Sequence, residues 1–293
     1  MKRGAGQRAS GIGHPASVGE VLCEMRRLIG SEADEVFALV TMTTSSMAWL
    51  EREKPCPSHL RCRLLEAAER RAAGWPQQYA AGHANFRGHW LHVDQRVLIP
   101  RPETEMLVDL VIDRLPDARC PLPVIADVGT GSGAIAIALA LEARIAGVIA
   151  LDISPDALNV AMLNAAALGV KERISFRRSD LLLGLLDDRV DVIVSNPPYV
   201  ATAEWERLDA SVRDYEPRLA LDGGAGGMDH IRRLVPEARG ALEPGGLLAL
   251  EIDERRSAAT LDVLRRAGFE SLEAVNDLTG RPRYVLGRQP EKA

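Results

Sequence analysis

Residues 123–128, Pro-Val-Ile-Ala-Asp-Val, form an apolar run that ends in Gly129-Thr130-Gly131-Ser132-Gly133 and continues into an apolar stretch with no polar face. A short β-branched run, a glycine turn and a fully apolar helix predict a strand and a helix that are both buried. The pattern repeats down the chain. Strands are expected at 147–152, 173–178, 190–195 and 247–252, with helices at 132–143, 155–168, 228–242 and 258–267. Two last strands are expected near 270–275 and 283–287. Apolar strands alternating with helices require a parallel sheet covered on both faces, an α/β fold. In such sheets ligands bind beyond the carboxyl ends of the strands.

The first part of the chain follows a different period. Between residues 18 and 81 apolar positions recur at three- and four-residue spacing, with breaks at Gly30-Ser31 and at Lys54-Pro55-Cys56-Pro57, which predicts a small helical bundle. Residues 86–99 alternate around a polar tip at 93–97 and predict a hairpin. The expected organisation is a loose tail over 1–17, a helical domain over 18–84, a hairpin linker over 85–100 and an α/β domain over 101–293. The tail has no apolar core of a signal peptide, and no run approaches the roughly 18 apolar residues of a membrane span. A cytoplasmic protein is therefore expected. The formal net charge of −5 makes nucleic acid a poor default partner. Cys23, Cys56, Cys62 and Cys120 lack metal or CxxC spacing and read as reduced thiols.

Three strand ends carry chemistry. The glycines of the 129–133 loop let a ligand approach the backbone, and the following helix start suits an anionic group. Asp152, nineteen residues after Gly133, is spaced to accept from ribose hydroxyls. These features specify an adenosine-type cofactor and are compatible with a dinucleotide as well. The strand at 190–195 then stops at Asn196-Pro197-Pro198-Tyr199. Two prolines there lock φ and remove N–H donors beside an amide and an aromatic ring.

A glycine loop, an acidic strand end and an Asn-Pro-Pro-Tyr tip, in that order, resemble the class I S-adenosyl-L-methionine-dependent methyltransferases that modify planar nitrogens. The resemblance implies a Rossmann-like, seven-stranded, mostly parallel sheet. It implies that Gly129, Thr130, Gly131, Ser132, Gly133 and Asp152 bind the cofactor, with Asp180 facing the adenine amino group and Leu181 lining the adenine pocket. A conjugated amide nitrogen is a poor nucleophile because its lone pair is delocalised. Acceptors aimed at its N–H groups, the Asn196 side-chain oxygen and the Pro197 carbonyl, direct the lone pair at the methyl group. Pro198 stiffens the tip and Tyr199 offers a flat apolar face.

The motif Trp75-Pro76-Gln77-Gln78-Tyr79-Ala80-Ala81-Gly82, then Phe86-Arg87-Gly88 and Leu98-Ile99-Pro100-Arg101-Pro102-Glu103-Thr104-Glu105, resembles the peptide-chain release factor glutamine N5-methyltransferase family. Glu216-Pro217, Gly223-Gly224, Pro244-Gly245-Gly246 and Glu251 extend the resemblance. It implies methylation of the glutamine in the Gly-Gly-Gln loop of class 1 release factors, with the helical domain docking the substrate. Arg101 and Glu103 lie near the active site in that family, or pin the linker. Two departures stand on the substrate side: Gly226 where the family has an acidic residue, and Asp253-Glu254-Arg255-Arg256 after Glu251. Rival readings are an amino-methyltransferase of nucleic-acid bases, a ribosomal-protein glutamine methyltransferase, and a noncatalytic binding protein.

Overall fold

The computed structural model describes residues 16–115, 121–185 and 188–291. Most of the expected tail and Cys120 lie outside the described residues. The chain divides into two compact units, Met1–Ala81 and Gly82–Ala293.

The first unit contains helices α1 (Val18–Ile29), α2 (Ala33–Thr41), α3 (Ser45–Leu50), α4 (Ser58–Ala72) and α5 (Gln77–Ala81). Ser17 starts α1 with a capping box, its hydroxyl accepting from Glu20 N while Ser17 N donates to the Glu20 carboxylate. Val21, Leu22 and Met25 of α1 pack on Val36, Phe37 and Val40 of α2 and on Leu64, Ala67 and Ala68 of α4. Trp49 and Leu50 of α3 stay 64% and 58% exposed, a pairing of large apolar groups that the unit's own core does not use. Cys23, Cys56 and Cys62 are free thiols.

The second unit opens with a hairpin, β1 (His83–Phe86) and β2 (His89–His92), earlier than the alternation suggests. Its turn is Arg87-Gly88, with φ of 52° and 76°. Two left-handed residues in succession make the tight turn that matches strand twist. Residues 93–99 leave the sheet but keep alternating because Val93, Val97 and Ile99 are buried.

Next comes α6 (Pro102–Ile112), a helix within the Pro-Arg-Pro-Glu-Thr-Glu segment. Pro102 stands at its first turn with Glu103 and Glu105, where a missing N–H and negative charge are both favourable. Then follow β3 (Val124–Val128), α7 (Ala134–Glu142), β4 (Gly147–Asp152), α8 (Pro155–Ala167), β5 (Ile174–Arg178), β6 (Val190–Ser195), α9 (Ala210–Arg213), α10 (Asp229–Ala241), β7 (Leu242–Glu251), α11 (Ser257–Arg266), β8 (Glu270–Asn276) and β9 (Pro282–Arg288).

The seven strands of the main sheet are ordered β5-β4-β3-β6-β7-β9-β8, parallel except for β9, which runs antiparallel to both neighbours. Alternate residues of each strand go to opposite faces. Ile125, Val148, Val192 and Val194 join the core formed with α6, α7 and α8, whereas Ala126, Ile149, Ile193 and Leu248 join the core under α10 and α11. The chain therefore has the expected α/β, class I methyltransferase architecture. Strand order reverses between β4 and β6 on either side of β3. Register aligns Val128 with Leu151 and with Ser195, so the three strand ends open on one edge. Among the described residues no helix is long and apolar enough to cross a membrane.

Candidate active site

The loop after β3 is held by its neighbours in space through backbone groups. Gly129 N and Thr130 N both donate to the Leu151 carbonyl, at 2.8 and 2.9 Å. Gly131 N donates to Asp152 Oδ2 at 2.9 Å, and Asp152 Oδ1 accepts from Ser154 N at 2.9 Å. The three glycines serve different ends. A Cβ on Gly129 would meet nothing within 4 Å and one on Gly131 only a carbonyl at 3.9 Å, so these positions need glycine for φ of 75° and 54° and turn an open face to the cavity. A Cβ on Gly133 would lie 3.0 Å from Ile137 Cδ1 and 3.1 Å from Ala161 Cβ, so this glycine lets α7 approach α8.

Asp127, fully buried at the end of β3, ties the turn from below. Its Oδ2 accepts from Thr130 Oγ1 at 2.6 Å and from Ala136 N at 3.2 Å, and burial pushes its carboxyl up to about 7. Thr130 and Ser132 are themselves buried. The Ser132 carbonyl accepts from Asn164 Nδ2 at 2.9 Å. Thr130, Ser132 and Gly133 thus build the loop from behind, while Gly129, Gly131 and Asp152 line the cavity.

The far wall of the cavity is made by Ser179, Asp180 and Leu181, with His230 and Arg233 of α10. Leu181 holds a left-handed φ of 49°, an uncommon state for a branched side chain. Ser179 Oγ clamps it by donating to the Leu181 carbonyl and accepting from Gly184 N, both at 2.7 Å. Asp180 is paired with Arg233 at 2.7 Å. That partner comes from a helix whose sequence carries only a polar stripe at this point.

Beside the glycine loop, β6, the parallel neighbour of β3, delivers Asn196 and Pro198 to the cavity. Asn196 Nδ2 donates to Thr104 Oγ1 at 3.1 Å, and Thr104 Oγ1 donates to Glu251 Oε2 at 2.8 Å. Glu251 and Thr104 are 1% and 5% exposed. Burial pushes the Glu251 carboxyl up to about 7 against the opposing pull of the Thr104 hydrogen bond and of Arg283. With Nδ2 committed, Oδ1 is the remaining polar atom of the Asn196 amide. Pro197 is buried and Tyr199 is half-buried outside the cavity lining, its hydroxyl pKa raised by burial and then by the Glu251 charge. In the sequence, Thr104 and Glu251 stand only as members of two separate motifs. An acid at the end of an otherwise apolar strand was the available signal, since such groups are seldom buried without a partner.

Two further contacts set the tip. Gly223 packs against it so closely that a Cβ would lie 2.6 Å from the Pro198 carbonyl oxygen. Val200 N donates to the Leu221 carbonyl and Gly223 N to the Val200 carbonyl. Glu216, buried, accepts from Ile99 N and pairs with Arg101, which ties the Glu216-Pro217 motif to the Ile99-Pro100-Arg101 motif. Both sequence departures gather on this side. A Cβ on Gly227, next to Gly226, would lie 3.0 Å from Arg256 Nε, and Arg255 and Arg256 pair with Glu204 in the segment after the tip.

Comparison with known proteins places this arrangement. Residues 106–212 match the family described as Methyltransferase small domain. The chain is 46% identical over 231 residues to the release factor glutamine methyltransferase of Moorella thermoacetica, covering 78% of this chain and 81% of that one. It belongs to the release factor glutamine methyltransferase family. The family's protein from Deinococcus radiodurans is 44% identical over 227 residues, covering 78% and 79%. Among solved structures, a methyltransferase from Pyrococcus furiosus has the same fold, with a TM-score of 0.52, 18% identity and coverage of 80% of this chain and 100% of that one. Membership in this family makes the chain an enzyme, a methyltransferase.

Proposed function

We propose that this enzyme transfers the methyl group of S-adenosyl-L-methionine to the side-chain amide nitrogen of the glutamine in the Gly-Gly-Gln motif of class 1 peptide-chain release factors. The observation that carries this reading is the fixed polarity of Asn196: Thr104 holds its amide nitrogen, so a carbonyl oxygen is left at a cavity also lined by Gly129 and Gly131. Membership in a family whose curated relatives are release factor glutamine methyltransferases supports the choice of substrate.

The residues present suit the cofactor. Gly129 leaves an open cradle that any Cβ would enter, Asp152 keeps free lone pairs beside the backbone bonds it accepts, and Leu181 supplies an apolar wall. Gly129 and Gly131 admit the amino-acid part, Asp152 accepts from the ribose and Asp180 accepts from the adenine while sharing its carboxylate with Arg233. Thr130, Ser132 and Gly133 contribute by shaping the loop. The bound cofactor supplies an electrophilic methyl group. Asn196 Oδ1 and the Pro197 carbonyl accept the two N–H bonds of the substrate amide and turn its lone pair toward that methyl. Pro197 and Pro198 cannot donate in competition, and Tyr199, outside the cavity lining, offers its flat face only to an amide that reaches past Pro198. Orientation and electrostatics supply the rate, and the surplus proton leaves to solvent after transfer. The helical segment 18–81 serves as the docking surface for the rest of the release factor, a role supported by exposed Trp49 and Leu50.

Mass spectrometry of the Gly-Gly-Gln peptide, from release factor incubated with enzyme and S-adenosyl-L-methionine, tests the proposal. One added methyl on the glutamine is expected. Methyl transfer to RNA or DNA with an unmodified glutamine would replace it with the nucleic-acid reading.

A further inference from the structure

We infer that Glu251, acting through Thr104, sets which end of the Asn196 amide faces the cavity, and so gates methyl transfer by its own protonation. The inference rests on the proposed role of Asn196 as an acceptor for substrate N–H groups.

The geometry is a three-member relay, Asn196 Nδ2 to Thr104 Oγ1 to Glu251 Oε2, whose members come from β6, α6 and β7. An ionised carboxylate only accepts hydrogen bonds. The single hydroxyl proton of Thr104 must then go to Glu251, and its oxygen can only accept from Asn196, which forces Nδ2 toward Thr104 and Oδ1 toward the cavity. A proton on Glu251 removes that constraint and frees every bond to reverse. The carboxyl O–H donates to Thr104 Oγ1, the Thr104 proton is released to Asn196, and the amide turns to bring Oδ1 to Thr104. Nδ2 then faces the substrate amide, donor against donor, and the glutamine nitrogen loses an acceptor. An amide side chain has no strong preference between its two ends beyond its hydrogen-bond partners, so the relay decides.

The charge state of Glu251 is poised by its surroundings. Arg101 and Glu103, at the start of α6, face it with opposite signs; Arg283 and Tyr284 face it from β9, and Tyr199 from the tip. Its carboxyl is pushed up to about 7 chiefly by burial. Tyr199 and Tyr284 stay neutral because both hydroxyls are shifted upward. Near neutrality Glu251, and neither tyrosine, changes charge. Thr104 and Glu251 are positioning residues, since each acts on substrate only through Asn196.

The test measures kcat on release factor as a function of pH at saturating cofactor, for the wild type and for Thr104→Val, Thr104→Ser and Glu251→Gln. In the wild type, kcat should fall about tenfold per pH unit below a limb near 7. Glu251→Gln should remove the limb. Thr104→Val should remove it too and lower kcat about tenfold or more while leaving the cofactor KM nearly unchanged, and Thr104→Ser should restore both rate and limb. Asp127 also titrates near 7, but it supports the glycine loop and would register in cofactor KM. A limb that persists in Glu251→Gln, or a Thr104→Ser enzyme as slow as Thr104→Val, overturns the inference.

A second readout needs no turnover and no variant: the Asn196 side-chain NH2 resonances of the wild-type enzyme should titrate near pH 7. Signals that stay fixed from pH 6 to pH 8 would overturn the inference even if glutamine is methylated. Signals that titrate in an enzyme that never methylates the release factor would overturn the proposed function and leave the relay standing.

Discussion

The two sides of the cavity are built by opposite means. On the cofactor side, the 129–133 loop is tied to Leu151 and Asp152 by backbone N–H groups, and its own shape comes from glycine conformations set within five residues. On the tip side, Asn196 is oriented by Thr104, 92 residues away, which is in turn held by Glu251, 147 residues from Thr104. One wall is built mainly from the backbone of the loop and the next strand, the other from side chains far apart in the chain. Local backbone geometry survives most changes elsewhere. A side-chain relay fails when any one member is lost.

That contrast predicts where substitutions act. The largest effect is expected for Asn196→Ala, which removes an acceptor used in the transition state: kcat should fall about 100- to 1000-fold, with cofactor affinity changed far less. Equal losses in kcat and in cofactor binding, measured by steady-state kinetics and calorimetry, would erase the division between the two walls. Gly223→Ala comes next. Its Cβ would lie 2.6 Å from the Pro198 carbonyl oxygen, so the tip must shift, with a stability loss of about 1–3 kcal/mol by thermal unfolding and a drop in kcat rather than a rise in cofactor KM. Gly131→Ala is the smallest of the three. Nothing blocks the added methyl, but a φ of 54° disfavours it by about 1–2 kcal/mol, which should raise cofactor KM about tenfold and spare kcat. A Gly131→Ala enzyme that lost kcat instead would mean the loop also orients the acceptor.

Legibility followed the same division. The strands at 123–128, 147–152 and 190–195 and the glycine turn could be read because burial on both sheet faces leaves continuous apolar runs and because positive φ selects glycine. The hairpin was displaced because Val93, Val97 and Ile99 keep alternating through their own burial after the strands have ended at His92. Helix α6 was concealed within a motif that invites reading for chemistry, although Pro102, two early glutamates and apolar Leu107, Val108, Leu110 and Val111 spell a helix start. Glu204, Glu216 and Arg233 could not be assigned partners, since charged residues look alike in sequence until packing selects which of them meet.

By itself the sequence determined the α/β order of elements, the place where a cofactor approaches bare backbone, and the amide and prolines that end the fourth strand of the sheet domain. These depend on interactions between residues close in the chain, such as turn conformation, helix starts and strand periodicity. Only the tertiary structure decided which way the Asn196 amide faces. Its polarity depends on one hydroxyl from α6 and one buried carboxyl from β7, and nothing in the spacing of Thr104, Asn196 and Glu251 along the chain announces that folding makes them hydrogen-bonded neighbours.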